Sequence, residues 1–221
     1  MAKNPAGSLF FYLLGASAPN LKKRNQALFY PSGLRPLLKN RAGLCFLFPP
    51  FPYPLMKFTM SPSRAYFLGL WKSRRTKQGV GVEGKRELLE IFIKLCLDEK
   101  FAEPDKMKFS EGNAEEYGSC HFFNSALRTW LDGEVKKRDE RLRFKNDFAA
   151  NYFAGVFDAK GGTMDVKGKE YCYFLGDDID EMVLLRLGFR AKKEGAKIAV
   201  LSSDFYGWLH PFLRMDRSRK F

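Results

Sequence analysis

The side chains that ordinarily perform acid–base, nucleophilic or metal chemistry are few and scattered in this chain of 221 residues. Of its two histidines, His121 has the single cysteine Cys120 beside it and His210 has no cysteine near it, and neither falls in a metal-ligand spacing with a second histidine or cysteine, so a histidine-based metal site or a histidine general base is hard to build. The four cysteines, Cys45, Cys96, Cys120 and Cys172, form no C-x-x-C pair. That spacing argues against a zinc ribbon and against a dense disulfide framework, and they read as reduced thiols of an intracellular protein, in cytoplasm or nucleoid. Cations are abundant instead: 38 Lys and Arg oppose 25 Asp and Glu, a formal net charge of +13. The chemistry open to such a chain is neutralisation of phosphates or of another anionic surface.

That charge is unevenly placed. The first acidic residue is Glu83, and residues 1–82 carry all of the excess, while residues 83–221 are balanced. Residues 1–60 also contain eight of the eleven prolines, including Pro49-Pro50-Phe51-Pro52-Tyr53-Pro54, with no sustained helical or strand period. We expect this stretch to be a disordered extension, or translation from an upstream start with the product beginning at Met56 or Met60. An acid-free N-terminus also fits organelle targeting, which stays open, although the apolar run Leu9–Leu14 is followed by prolines rather than by an amphipathic helix. With 45% hydrophobic and 15% aromatic residues the chain as a whole is too apolar to be disordered. Nothing approaches an apolar run long enough to span a bilayer, so no membrane association is expected.

The elements that must position the cations are repeated. Ala65-Tyr66-Phe67-Leu68-Gly69-Leu70-Trp71-Lys72-Ser73-Arg74 returns as Asn151-Tyr152-Phe153-Ala154-Gly155-Val156-Phe157-Asp158-Ala159-Lys160, with Tyr, Phe and Gly coincident. After the first copy come a short alternating run, Gly79–Glu83, and an amphipathic segment, Arg86–Leu97. Candidate strands Lys106–Phe109 and Tyr117–Phe123 follow, then a helix Asn124–Lys136 with Trp130. After the second come a hairpin around Gly168 (Thr163–Val166 and Glu170–Leu175), a helix Asp178–Leu187, strands Phe189–Lys192 and Lys197–Leu201, and a helix Ser202–Met215 with Trp208. The expected order is αββαββα twice, an α+β fold. Gly69, Ala154 and Gly155 form a helix interface, since small residues there let two helix backbones approach closely. The domains are then 1–60 as extension, 61–145 as the first repeat with its linker, and 146–221 as the second. The charged run Glu134–Arg143 reads as a solvent-exposed linker helix.

Phe153-Ala154-Gly155-Val156-Phe157-Asp158-Ala159-Lys160-Gly161 resembles the nine-residue signature of the LAGLIDADG homing endonucleases, and Phe67–Arg75 resembles a more divergent first copy. The resemblance covers residues 62–216. It implies a duplicated αββαββα domain with pseudo-two-fold motif helices and two antiparallel sheets forming a saddle over double-stranded DNA in the major groove. It also implies an Asp or Glu at the eighth motif position of each copy, holding divalent metal ions over the scissile phosphates. Here those positions are Arg74 and Lys160. A cation there removes a ligand and repels a unit positive charge 4 Å away by about 4 kcal/mol at an effective dielectric near 20. Asp158 lies two residues before Lys160, on another helix face, and Asp165 lies beyond the helix end, so both are weak substitutes that read more simply as a solvated helix end and a hairpin residue.

Binding without cleavage follows, with no metal and no other cofactor. Groove-facing candidates, by alternation alone, are Arg75, Lys77, Gln78, Lys106, Lys108, Lys160, Lys167, Lys169, Arg190, Lys192 and Lys197. Three alternatives stay open: an active Mg²⁺-dependent site-specific endonuclease using other acids, an intron maturase that binds structured RNA, and a plain duplicated α+β domain whose cleft binds a small ligand or a protein. A monomer is expected, because the duplication supplies both halves of the interface.

Overall fold

The computed structural model describes residues 58–112, 117–166 and 169–215, and for Glu111, Val166, Lys169 and Glu170 it describes the backbone alone. Of the expected extension only Phe58, Thr59 and Met60 lie inside the described residues; the hairpin apex at Gly168 lies outside them.

Two helices form the centre. Helix α1 (Pro62–Arg74) begins where Ser61 caps the backbone N–H of Arg64 at 3.2 Å, with Pro62 in the first turn, where its missing N–H costs nothing. Its stretch Ala65–Trp71 is buried on every side, as befits a helix that is apolar all round. Helix α5 (Asp147–Lys160) is capped by Asn146 on Ala149 and is buried from Ala149 to Ala159. They cross backbone to backbone. A methyl group on Gly69 would overlap the Tyr152 carbonyl oxygen and come within 3.1 Å of the Val156 nitrogen. One on Gly155 would overlap the Tyr66 carbonyl oxygen and come within 2.9 Å of the Leu70 nitrogen. Ala154 is fully buried beside them.

Each helix leads into one antiparallel sheet. In the second half the order is β4 (Gly161–Val166), β5 (Lys169–Leu175), α6 (Asp178–Arg186), β6 (Ala191–Glu194), β7 (Lys197–Val200) and α7 (Asp204–Leu209), with sheet order β4-β5-β7-β6. This is the expected αββαββα. The first half departs from it: β1 (Val80–Lys85), α2 (Arg86–Asp98), β2 (Lys108–Glu111), β3 (Tyr117–Phe122) and α3 (Ser125–Lys136) give a three-stranded sheet, β1-β3-β2. The missing strand is replaced by a tight turn. Arg75 makes a single bridge to Val82, Thr76 donates its N–H to the Gly81 carbonyl at 3.0 Å, and Gly79 takes φ +59°, a conformation that favours glycine.

Both sheets bury alternate residues against the helices. Val80, Val82, Cys120 and Phe122 face the core in the first half; Cys172, Phe174, Ile198 and Val200 do so in the second. Phe67 stacks on Phe92 with ring centroids 5.4 Å apart, and Phe189 packs on Trp208 at 4.9 Å. The last helix is shorter than the sequence pattern predicts. It ends at Leu209 and continues only as a 3₁₀ turn, His210–Phe212, because Pro211 has no N–H to continue an α-helix.

Gly155→Val is expected to destabilise the fold by about 3 kcal/mol or more, since the clash is with backbone that cannot rotate away. The urea unfolding midpoint measures it; an unchanged midpoint would mean that the helices do not touch there.

Candidate nucleic-acid interface

Arg74 and Lys160 are the last residues of α1 and α5. The crossing at the glycines brings these ends together: the Arg74 guanidinium donates from Nε to the Ala159 carbonyl at 2.9 Å and from Nη1 to the Tyr117 hydroxyl at 2.9 Å. A guanidinium on a helix C-terminal carbonyl satisfies a group with no partner in its own helix and suits the negative end of the helix dipole. Lys160, half-buried, follows Ala159 directly. Two cations therefore stand at adjoining helix ends, where a hard divalent ion would need carboxylate oxygens.

The nearby acids do not make up for this. Asp158, read from sequence as a solvated helix end, is 3% exposed. It accepts the Tyr66 hydroxyl at 2.7 Å and the backbone N–H groups of Arg214 and Met215 at 2.8 and 3.3 Å, tying the C-terminal segment to the helix pair. Asp165 is exposed on β4, opposite Glu170 near the hairpin end. The residues at the helix ends do not fit a divalent metal site.

The open sheet faces carry some of the sequence candidates. In the first sheet Lys108 sits opposite His121, with its ammonium 5.0 Å above the Phe123 ring. In the second, Lys192 pairs in register with Ala199 and is ion-paired to Glu194 at 2.8 Å, while Lys197 lies opposite Leu175 with its ammonium 5.1 Å over the Tyr173 ring. Arg75, Lys77 and Gln78 are exposed in the turn beyond α1, with Arg75 3.7 Å from Asp132. Lys106 lies outside the sheet, in the 3₁₀ turn Pro104–Lys106, bound to Glu103 at 2.7 Å. Arg190 is exposed just before β6. Lys167 lies outside the described residues, and Lys169 is placed by its backbone only. Sequence alternation did not single out Tyr117, His121, Tyr171 and Tyr173, which share these faces by register. Their signal was period two along β3 and β5, obscured because core and open positions are both aromatic.

The linker is not solvated as expected. After α3 it forms a short helix α4 (Arg138–Arg141), and Arg138 is 3% exposed, with Glu134 also buried and bonded to Arg141. Arg138 donates to Asp180 at 3.1 Å and to Asp177. Asp180, fully buried, also accepts the Tyr152 hydroxyl at 2.9 Å, the Lys72 ammonium, and the Asp177 N–H at 3.1 Å in a capping box that starts α6. Burial and then the Asp180 charge hold the Tyr152 hydroxyl well above its ordinary pKa, so it stays a donor. Partial burial works to raise the Asp177 carboxyl, but Lys72 and Arg138 outweigh it and hold the group at about 2. Two of the described thiols are buried and held protonated: burial raises Cys120 to about 11, and burial followed by Cys120 raises Cys96 further.

No protein-family model and no curated protein matches the chain. Among solved structures it is similar to the homing endonuclease I-DmoI in complex with DNA and Mn, at 15% identity and a TM-score of 0.48 over 70% of this chain and 97% of that one. It is similar to mesophilic variants of I-DmoI at 16% identity and a TM-score of 0.47, over 70% and 91% of the two chains. The N-terminal LAGLIDADG domain of DUF199/WhiA is similar at 10% identity and a TM-score of 0.46, over 74% and 90%. Among the described residues no helix is long and apolar enough to cross a membrane.

Arg138→Met is expected to cost about 3–5 kcal/mol in urea unfolding, since it strips a charged partner from the buried Asp180. Acid unfolding tests Asp177. Its folded pKa lies below the unfolded value, so its contribution is present above pH 3.8 and is lost as pH falls from there to about 2. Asp177→Asn, which keeps a capping side chain, should flatten that limb of the stability profile; an unchanged limb would remove Asp177 as its source.

Proposed function

We propose that this protein binds double-stranded DNA on a homing-endonuclease scaffold from which cleavage has been lost, acting as a monomer whose two halves supply both sides of the interface. The observation that carries this reading is the pair of cations at the adjoining ends of α1 and α5, with Arg74 bonded to the Ala159 carbonyl and Lys160 next in the chain. In the family that the sequence resembles, these positions hold acids and metal ions. A guanidinium and an ammonium there neutralise phosphates directly, so affinity survives while the means of activating a water is gone. Lys108 and Lys197 on the open faces extend the positive track on either side.

The test is retention of the full chain on a randomised duplex pool in EDTA, followed by addition of Mg²⁺. Retention without strand breakage is expected; breakage on adding Mg²⁺ would overturn the loss of cleavage. Lys160→Glu should lower duplex affinity about tenfold and reduce the slope of log affinity against log salt by about 1. Unchanged affinity would take Lys160 out of the interface.

A further inference from the structure

Resting on that nucleic-acid reading, we infer that the open sheet faces hold unpaired bases, so that the preferred ligand carries a single-stranded segment rather than uninterrupted duplex. The register sets which side chains face outward. Across the described open-face positions of both sheets there is no Asn or Gln to read adenine edges and no Arg to read guanine in a duplex groove; lysines stand there, and two of them, Lys108 and Lys197, lie over aromatic rings. The rings on these faces are Tyr117 and His121 on β3, with Phe123 just after it, and Tyr171 and Tyr173 on β5.

Their presentation suits stacking. Phe123 is 65% exposed, lies edge-to-face with His121 at 5.7 Å, and has the Lys108 ammonium 5.0 Å from its ring centre. Tyr173 lies across Gly162 on the neighbouring strand, close enough that a Cβ at Gly162 would meet its hydroxyl at 3.0 Å and its ring carbons at 3.1 Å. The glycine lets the ring lie against the sheet, and the Lys197 ammonium is 5.1 Å from its centre. Each sheet thus offers an aromatic ring with a lysine on a flexible stem beside it. That pairing matches a base and its adjoining phosphate: the base stacks on the ring and the ammonium moves to the phosphate. Bases in continuous duplex keep their faces stacked on one another, so the exposed rings have no base face to stack on there.

The test compares binding of the full chain, at one salt concentration, to a fully paired DNA duplex, to the same duplex with a gap of about four nucleotides, and to single strands of DNA and of RNA. The gapped duplex is expected to bind about tenfold tighter than the paired one, the order that stacking one or two bases supplies. The ratio should fall towards one in the Phe123→Ala/Tyr173→Ala variant and stay in Leu185→Ala, an exposed apolar residue of α6. Tighter binding of either single strand also supports the inference, and the stronger of the two names the source as DNA or RNA. Equal affinity for paired and gapped duplex, or an unchanged ratio in the double variant, overturns the inference and leaves duplex binding standing. Failure to bind any of the four ligands overturns the nucleic-acid reading itself, and this inference with it.

Discussion

The contact on which the molecule depends is the one between the backbones of α1 and α5. It is reciprocal: Gly69 lies against the Tyr152 carbonyl and Gly155 against the Tyr66 carbonyl, each glycine one turn beyond the tyrosine of its own helix. Helices separated by ordinary side chains keep their axes about 8–10 Å apart. Here the glycines remove the spacer, so the helix ends meet, and only then does the Arg74 guanidinium reach the Ala159 carbonyl of the other helix. The meeting of the two cation-bearing helix ends is thus a consequence of two missing side chains several residues upstream.

The symmetry of the backbone does not extend to its buried polar groups. Tyr66 donates to Asp158, but the position in α1 that repeats Asp158 is Lys72, which cannot accept a proton from Tyr152. Asp180 from α6 answers both needs, accepting the Tyr152 hydroxyl and the Lys72 ammonium, and the linker residue Arg138 completes the charge balance with Asp177. Burying Arg138 and most of Lys72 against the buried Asp180, with Asp177 at the exposed edge, is costly unless their hydrogen bonds are filled, and Asp180 has four donors directed at it. The linker is therefore held to α1, α5 and α6 at once, and the halves are joined by a buried charge cluster as well as by the glycine crossing.

Much of this was legible from period and punctuation. The motif helices, α2, α6 and the second hairpin follow from apolar spacing and from glycine placement, and Gly69, Ala154 and Gly155 stood out because they coincide in a repeat. Three features were not legible, each because its cause is tertiary. The first strand of the first half is lost to a turn whose shape depends on Gly79 and a bridge to Val82. Arg138 reads as one of several charges in a solvated run, and only the carboxylates of α6 bring it inside. Asp158 reads as surface because its partners, Tyr66 and the N–H groups of Arg214 and Met215, are remote in sequence.

The charge of residues 83–221 is balanced in sum, yet sums over a chain hide where charges are already matched. Lys106 faces Glu103, Lys192 faces Glu194, and Lys193 faces Asp178, while Arg138 and Lys72 are absorbed by Asp177 and Asp180. These pairs cancel locally and leave little field at a distance. The cations at the helix ends are different in kind. Arg74 bonds to a carbonyl and a phenol, neither of which carries a full negative charge, so its own charge is not cancelled there. Beyond about 10 Å salt screens surface charge, so the local potential at the helix ends is set by the unmatched Arg74 charge there and little by the paired surface lysines farther off.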